Sequence, residues 1–382
     1  MTTAWSLACS ECDATRSGEG LATVCPDCGA PWLVHYENVP SPSLKGDLGA
    51  RDWTMWRYRE WMPLEPGEMP VSLGEGGTAL LHASALGERY GMAHLFVKDE
   101  SQNPTGSFKA RGLSAAVTRA APHVTSFTTP TAGNAGVALS AYGSRAGLPV
   151  RVVAPRTTPP RILQQIERFG AELQLLDGHI GDCGKASREH AEHTGAFDVS
   201  TLREPYRIEG KKTLGLEVAE QLGWELPDAV IYPTGGGTGL IGMWIAFRDL
   251  IEAGWVEGRT PRLYSVQSTG CAPVVRAVES GEPSTEAWED PQTMAAGLRV
   301  PAPLGGRLML RAIVDTGGGA VAVTDETLLQ AQHELTEAEG IDACPEGGAT
   351  LAALEELVGR GEVTTNERVV LFNTGAGWLY ER

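Results

Sequence analysis

Ile231-Tyr232-Pro233-Thr234-Gly235-Gly236-Gly237-Thr238-Gly239 ends a run of strand character and leads into the apolar, helical stretch 240–251. A glycine loop between a strand and a helix predicts an α/β fold with an anion site at the helix N-terminus. Residues without side chains let backbone N–H groups approach phosphate oxygens, Thr238 adds a hydroxyl, and the helix dipole adds attraction. The loop lacks the Gly-Lys-Ser/Thr ending of a nucleoside-triphosphate loop, and its glycines do not follow the Gly-x-Gly-x-x-Gly spacing of dinucleotide folds. Both ligand classes are thereby demoted.

Outward from this loop, short apolar runs at 94–97, 124–128, 150–154, 173–176, 230–232, 263–266 and 369–372 alternate with longer segments of helical period. That alternation predicts parallel sheets covered by helices. Stretches 133–147, 159–170 and 182–195 fill the helical slots of one series that ends near Asp198, and a second series begins near Arg207. The expected architecture is two parallel-sheet α/β domains with the ligand between the carboxyl ends of their strands. Residues 73–112 and 206–382 are assigned to the larger domain and 113–205 to the smaller. Upstream lie a ribbon-like element, 1–38, and an arm, 39–72, in which Trp53, Trp56 and Trp61 are spaced to line much of one helical face. Aromatic clusters of this kind serve packing or subunit contact.

The chain has 382 residues, 42% hydrophobic and 21% charged, enough for two cores and a small appendage. Its formal charge of −17 and scarcity of basic runs argue against nucleic acid and against an anionic membrane surface. The N-terminus carries no basic region followed by an apolar run, and no apolar stretch reaches the roughly twenty residues that span a bilayer, so a cytoplasmic location is expected. Among the cysteines, Cys9, Cys12, Cys25 and Cys28 form two Cys-x-x-Cys knuckles, a spacing that points four thiolates at one tetrahedral Zn²⁺. Four sulfur ligands close the coordination sphere, so such an ion is structural.

Three further motifs carry chemistry. Asn103-Pro104-Thr105-Gly106-Ser107-Phe108-Lys109 is a turn followed by an alanine-rich helical run, 110–121, which puts Lys109 near a helix N-terminus. The positive end of the dipole disfavours its ammonium, and the neutral amine is the form that attacks an aldehyde. Thr129-Pro130-Thr131-Ala132-Gly133-Asn134-Ala135-Gly136 offers donors at a second helix start. Thr131, Ala132 and Gly133 suit a carboxylate, and the Asn134 amide suits a ring hydroxyl or oxygen. Phe372-Asn373-Thr374-Gly375-Ala376-Gly377 follows an apolar run and presents the Thr374 hydroxyl to a heterocycle. A neutral partner leaves a pyridine nitrogen largely uncharged, which favours elimination and replacement over transamination. An aldehyde-bonding lysine, a phosphate loop, an amide donor and a terminal hydroxyl together describe a pyridoxal 5'-phosphate site.

With these motifs, and with Leu73-Gly74-Glu75-Gly76-Gly77-Thr78 and Glu204-Pro205-Tyr206-Arg207-Ile208-Glu209-Gly210, the chain resembles the threonine synthase family of fold-type II pyridoxal phosphate enzymes through most of its length. The resemblance implies a tryptophan synthase β-like fold, a zinc ribbon on the four cysteines and a homodimer. It further implies that Lys109 bonds the cofactor and shuttles protons, that Asn134 faces the phenolic oxygen, and that Gly235, Gly236, Gly237, Thr238 and Gly239 cradle the phosphate. Thr374 would meet the pyridine nitrogen, the turn from Thr131 to Asn134 the substrate carboxylate, and Arg207 the substrate phosphate. The implied reaction turns O-phospho-L-homoserine and water into L-threonine and phosphate. The chain departs from the family at Ala110, where an aspartate is usual, at Thr201, Leu202 and Arg203, and at Gly377-Trp378-Leu379-Tyr380, where a glycine-then-lysine ending is usual. Two other readings stay open: β-elimination from serine, threonine or another β-substituted amino acid, and a catalytically silent binding protein that uses the ribbon for a partner.

Overall fold

The structure, a computed structural model, describes residues 4–380. Trp5–Cys9 (β1), Thr15–Ser17 (β2) and Trp32–Tyr36 (β3) pair antiparallel in the order β2-β1-β3. This sheet buries little of its own beyond Leu7, Ala22, Cys25 and Trp32, so it is held by docking. Trp5 meets Tyr206 edge-on at 6.4 Å, the Ala22 N–H donates to the Tyr206 hydroxyl at 3.1 Å, and the Tyr36 hydroxyl donates to Glu209 at 2.5 Å.

Lys45–Leu48 (α1) and a 3-10 helix, Met55–Trp61, follow. Of the tryptophans expected here as packing or interface surface, Trp56 and Trp61 pack within the chain. Trp61 is buried edge-on against Trp255 at 5.6 Å, and the Trp56 indole donates to Glu75 at 2.6 Å. Trp53 stays 41% exposed, its ring 4.0 Å beneath the Arg57 guanidinium.

The body begins with Leu80–His82 (β4), Ser84–Tyr90 (α2), Leu95–Asp99 (β5) and Lys109–Ala120 (α3). Phe127–Pro130 (β6), Asn134–Ala146 (α4), Val150–Pro155 (β7), Pro160–Arg168 (α5), Glu172–Leu176 (β8), Ile180–Thr194 (α6) and Phe197–Asp198 (β9) build a parallel four-stranded sheet ordered β8-β7-β6-β9. The chain continues through Tyr206–Gln221 (α7), Ala229–Pro233 (β10), Thr238–Glu252 (α8), Arg262–Ser268 (β11), Pro273–Ser280 (α9) and Gly306–Thr316 (α10). It closes with Gly319–Val323 (β12), Asp325–Glu339 (α11), Pro345–Gly359 (α12) and Val369–Asn373 (β13). These strands and β4 and β5 form a six-stranded sheet ordered β12-β11-β10-β13-β5-β4.

β10 and β13 are buried at every residue, as strands covered by helices on both faces must be. The larger sheet is mixed rather than wholly parallel, because the short β4 pairs antiparallel with β5. An antiparallel neighbour needs no crossover, and the single short helix α2 suffices to reverse the chain.

α3 runs unbroken through residues 112 and 113 and packs on both α7 and α4, so it bridges the two sheets. It is anchored by Arg111, fully buried, which donates to Glu100 at 2.6 and 2.7 Å and to Glu217 at 2.7 and 2.8 Å. Lys98 adds a 2.8 Å bond to Glu217. Burial opposes ionisation of these carboxyls, yet Arg111 and Lys98 hold both below the usual carboxylate range.

Candidate active site

A cavity of about 450 Å³ lies between the two sheets at the carboxyl ends of β6, β10 and β13. It is lined by Lys109, by Thr131, Ala132, Gly133 and Asn134, by Arg207, by Gly235 to Gly239 and by Thr374. The fold thus gathers every candidate cofactor and substrate residue into one space; the four cysteines lie elsewhere.

Lys109 is the first residue of α3, and its amine stands 3.8 Å from the centroid of the Phe108 ring. The Phe108 N–H donates to the Thr374 carbonyl at 3.0 Å and Ser107 bridges Gly375, so the lysine turn is stitched to the end of β13. Burial, and then the Arg207 guanidinium, lower the Lys109 amine to about 7, against weaker opposition from Glu346 and Cys344. The helix start lies where expected, but burial and a neighbouring cation are the leading causes of the shift.

The glycine loop joins β10 to α8, with Gly237 at φ +78° capping the helix. A Cβ would fall 2.1 Å from the Gly297 carbonyl oxygen at Gly235, 2.8 Å from a Thr201 methyl at Gly236, 2.2 Å from the Met309 sulfur at Gly237 and 2.0 Å from the Tyr232 hydroxyl at Gly239. The neighbours therefore require glycine, and the bare backbone leaves N–H groups at a helix start facing the cavity. At the opposite wall, the Thr131 hydroxyl is engaged in its own turn: it accepts from the Gly133 and Gly136 N–H groups at 3.0 and 3.1 Å and donates to the Gly133 carbonyl at 2.7 Å. The donors left for a carboxylate there are backbone N–H groups of the first turn of α4.

Several buried polar atoms are orphaned. Asn134 Oδ1 lacks a hydrogen-bond partner, while its Nδ2 donates to the Tyr380 hydroxyl at 3.1 Å. Arg207 is 1% exposed, donates from Nη1 to the Val199 carbonyl at 2.7 Å, and has no partner for Nε and Nη2. Burial makes its charge costly, and a buried guanidinium with free donors is a site awaiting an anion. Thr374 contacts only the Cys344 sulfur, at 3.8 Å, among the hydrogen bonds of its hydroxyl. A glycine cradle, an amine that is partly unprotonated near neutrality, an unsatisfied amide and a hydroxyl held only by a long contact to a thiol sulfur fit an aldehyde-bearing, phosphorylated pyridine.

Arg188, Arg299 and Glu346 also line the cavity, and no motif in the sequence marks them. Arg188 lies mid-helix on α6, one turn after Gly184, away from any strand or helix end. Arg299 sits in the irregular stretch between α9 and α10, and Glu346 in the first turn of α12.

At the N-terminal ribbon the four thiol sulfurs lie within 4.8 Å of one another, with Cys9–Cys28 at 3.4 Å, Cys12–Cys28 at 3.6 Å and Cys12–Cys25 at 3.7 Å. A tetrahedron with metal–sulfur bonds of about 2.3 Å has edges of about 3.8 Å, so the donor set fits one zinc ion.

The profile of a family described as pyridoxal-phosphate dependent enzyme matches residues 71–375. The threonine synthase of Methanosarcina acetivorans is 33% identical over 374 residues, covering 97% of this chain and 91% of that protein. The chain belongs to the threonine synthase family of pyridoxal-phosphate dependent enzymes. A second relative in the family, the threonine synthase of Mycobacterium tuberculosis, is 31% identical across 84% of this chain and 86% of its own. Among solved structures, a T.th. threonine deaminase has a TM-score of 0.67 at 26% identity, covering 78% of this chain and 92% of that one. Maize serine racemase, with a TM-score of 0.68 at 22% identity over 78% of this chain and 88% of its own, shares the fold. As a member of this family the chain is a pyridoxal-phosphate dependent lyase with a fold-type II architecture.

Proposed function

We propose that the chain is a threonine synthase, converting O-phospho-L-homoserine and water to L-threonine and phosphate. The observation that carries this reading is Arg207: a buried guanidinium with two unpartnered donors in the same cavity as Lys109 and the glycine loop. The threonine synthases at 33% and 31% identity across most of the chain support it.

When bound, pyridoxal 5'-phosphate supplies an electron-accepting ring that stabilises negative charge on the carbon beside the substrate amine. Gly235, Gly236, Gly237, Thr238 and Gly239 hold its phosphate, the Asn134 amide contacts its phenolic oxygen, and the Thr374 hydroxyl meets its ring nitrogen without adding a charge. Lys109 removes the α-proton and carries protons to and from the β-carbon, a role suited to an amine lowered to about 7. The Ala132 N–H and the N–H groups of Asn134 and Ala135 at the start of α4 hold the substrate carboxylate, since the Thr131 and Gly133 N–H groups are already bonded to the Val153 carbonyl and the Thr131 hydroxyl. The Arg207 fork binds the phosphate through two parallel charge-assisted hydrogen bonds as it leaves.

The ribbon cysteines Cys9, Cys12, Cys25 and Cys28 hold a structural Zn²⁺ in this reading. The enzyme is assigned to the cytoplasm and to a homodimer, with 73–112 and 206–382 as the cofactor domain and 113–205 as the smaller one. Among the described residues no helix is long and apolar enough to cross a membrane. The competing reaction, β-elimination of an unphosphorylated hydroxy amino acid, is favoured by the likeness to a threonine deaminase at 26% identity and by the altered residues Thr201, Leu202 and Arg203 before Arg207. Holoenzyme given O-phospho-L-homoserine should release phosphate and form threonine in step. Oxo acid from serine or threonine, with neither product from phosphohomoserine, would sink the proposal.

A further inference from the structure

The cavity holds a carboxylate and a phenol that the reaction above does not use. Glu346, in the first turn of α12, is 3% exposed; its Oε1 accepts from the Gly297 N–H at 2.6 Å, and its Oε2 has no hydrogen-bond partner. A buried carboxylate oxygen without a donor is costly, so a donor is expected close by. Tyr380 lines the same cavity as Glu346 and Asn134, and burial first, and then the neighbouring Glu346 carboxylate, push its phenol well above the usual range and keep it protonated. Its oxygen is already occupied as an acceptor by Asn134 Nδ2 at 3.1 Å, so its proton must be placed elsewhere. The segment that carries Tyr380 is fixed over the cavity. Ala376 and Gly377 donate to the Gly106 and Asp342 carbonyls at 2.8 and 3.0 Å, and the Trp378 N–H donates to the Asp342 carboxylate at 3.2 Å.

An amide nitrogen has two hydrogens in a plane, so giving one to Tyr380 fixes the direction of the other. We propose that Glu346 and Tyr380 are positioning residues that form a hydrogen-bonded chain, Glu346 carboxylate to Tyr380 hydroxyl to Asn134 amide, which turns the second Asn134 N–H toward the phenolic oxygen of pyridoxal 5'-phosphate. The Gly377-Trp378-Leu379-Tyr380 ending thereby acquires a role, because it supplies the acceptor that orients a cofactor ligand on α4. The proposal rests on the assignment of Asn134 to that oxygen.

The test uses the full chain titrated with pyridoxal 5'-phosphate, read by dissociation constant and by the visible absorption band. Tyr380→Phe keeps the ring and removes the hydroxyl. It should raise the dissociation constant about fivefold to tenfold, the loss of roughly one hydrogen bond, and move the band maximum. Glu346→Gln should weaken binding less, and the double variant should bind no worse than Tyr380→Phe alone, because both act through one chain. An unchanged constant and band in Tyr380→Phe, or additive losses in the double variant, overturn the proposal. Should Tyr380→Phe fail to fold, Glu346→Gln decides by the same two readings. Asn134→Ala separates the layers: unchanged affinity there refutes the placement of Asn134 and the chain with it. Weakened affinity beside an unaffected Tyr380→Phe overturns the chain alone.

Discussion

Lys109 and Arg207 are two cations in one buried cavity, and neither has an ion-pair partner among the described residues. Each makes the other's charge harder to hold, and the lysine yields because an amine can lose its proton near neutrality whereas a guanidinium cannot. Labelling of Lys109 by an amine-selective reagent should therefore rise with pH through a midpoint of about 7, protonated below and free above. A midpoint near the ordinary lysine value of 10.5 would contradict this. The same shift sets a stability slope. The folded value lies below the unfolded one, so the unfolded chain binds the extra proton, and this group's contribution to stability rises from about pH 7 toward 10.5. For Arg207, substitution by alanine should raise KM for a phosphorylated substrate about tenfold to a hundredfold, the worth of roughly 1.5–3 kcal/mol of charge-assisted hydrogen bonding. The visible cofactor band should stay. Lysine at that position should restore little, since a point charge lacks the planar fork. An unaltered KM in Arg207→Ala would remove Arg207 from the phosphate site.

The glycine loop and α3 show how elements hold the site. Gly239→Ala sets a methyl 2.0 Å from the Tyr232 hydroxyl, so the β10–α8 turn must shift. Overpacking of this kind costs about 1–3 kcal/mol, and the variant should show both a lower denaturant midpoint and weaker cofactor binding. Arg111→Met would leave Glu100 and Glu217 facing each other without their guanidinium. A loss of about 3–5 kcal/mol by denaturant titration is expected, and one below about 1 kcal/mol would show the network to be dispensable. Much of this scale was legible in the sequence. β5, β6, β7, β8, β10, β11 and β13 fall on apolar runs, and α4, α5, α6 and α8 on the periodic stretches between them. β12 was missed because Gly-Ala-Val-Ala-Val alternates small residues without a contrast in polarity, and β4 because three residues at a sheet edge carry no period. The lysine turn, the glycine loop and the Asn134 and Thr374 turns were readable since each marks a strand or helix end. Glu346 and Arg299 were not, because they enter the cavity from segments brought there only by the closing of the fold.

At the scale of the whole molecule, the ribbon docks on the catalytic body at several places, through Arg119 of α3 and Arg311 of α10 among others, and one of them borders the site. Tyr206 and Glu209, which receive contacts from the ribbon residues Trp5, Ala22 and Tyr36, flank Arg207 in the first turn of α7. Replacing Cys12 by serine should lower zinc content from one ion per chain to none and depress the thermal midpoint, by about 2–4 °C for each kcal/mol lost in a chain of this size. The cofactor band should survive, since none of its proposed contacts comes from the ribbon; loss of the band together with the metal would show the two sites to be one folding unit. The central claim is that this cavity binds a phosphorylated amino acid and exchanges its phosphate for water. Purified holoenzyme incubated with O-phospho-L-homoserine, with phosphate and threonine quantified over time, tests it most directly. Equal amounts of the two products, both abolished in Lys109→Ala, are predicted. Phosphate without threonine, or neither product from an enzyme whose cofactor band is intact, would contradict it.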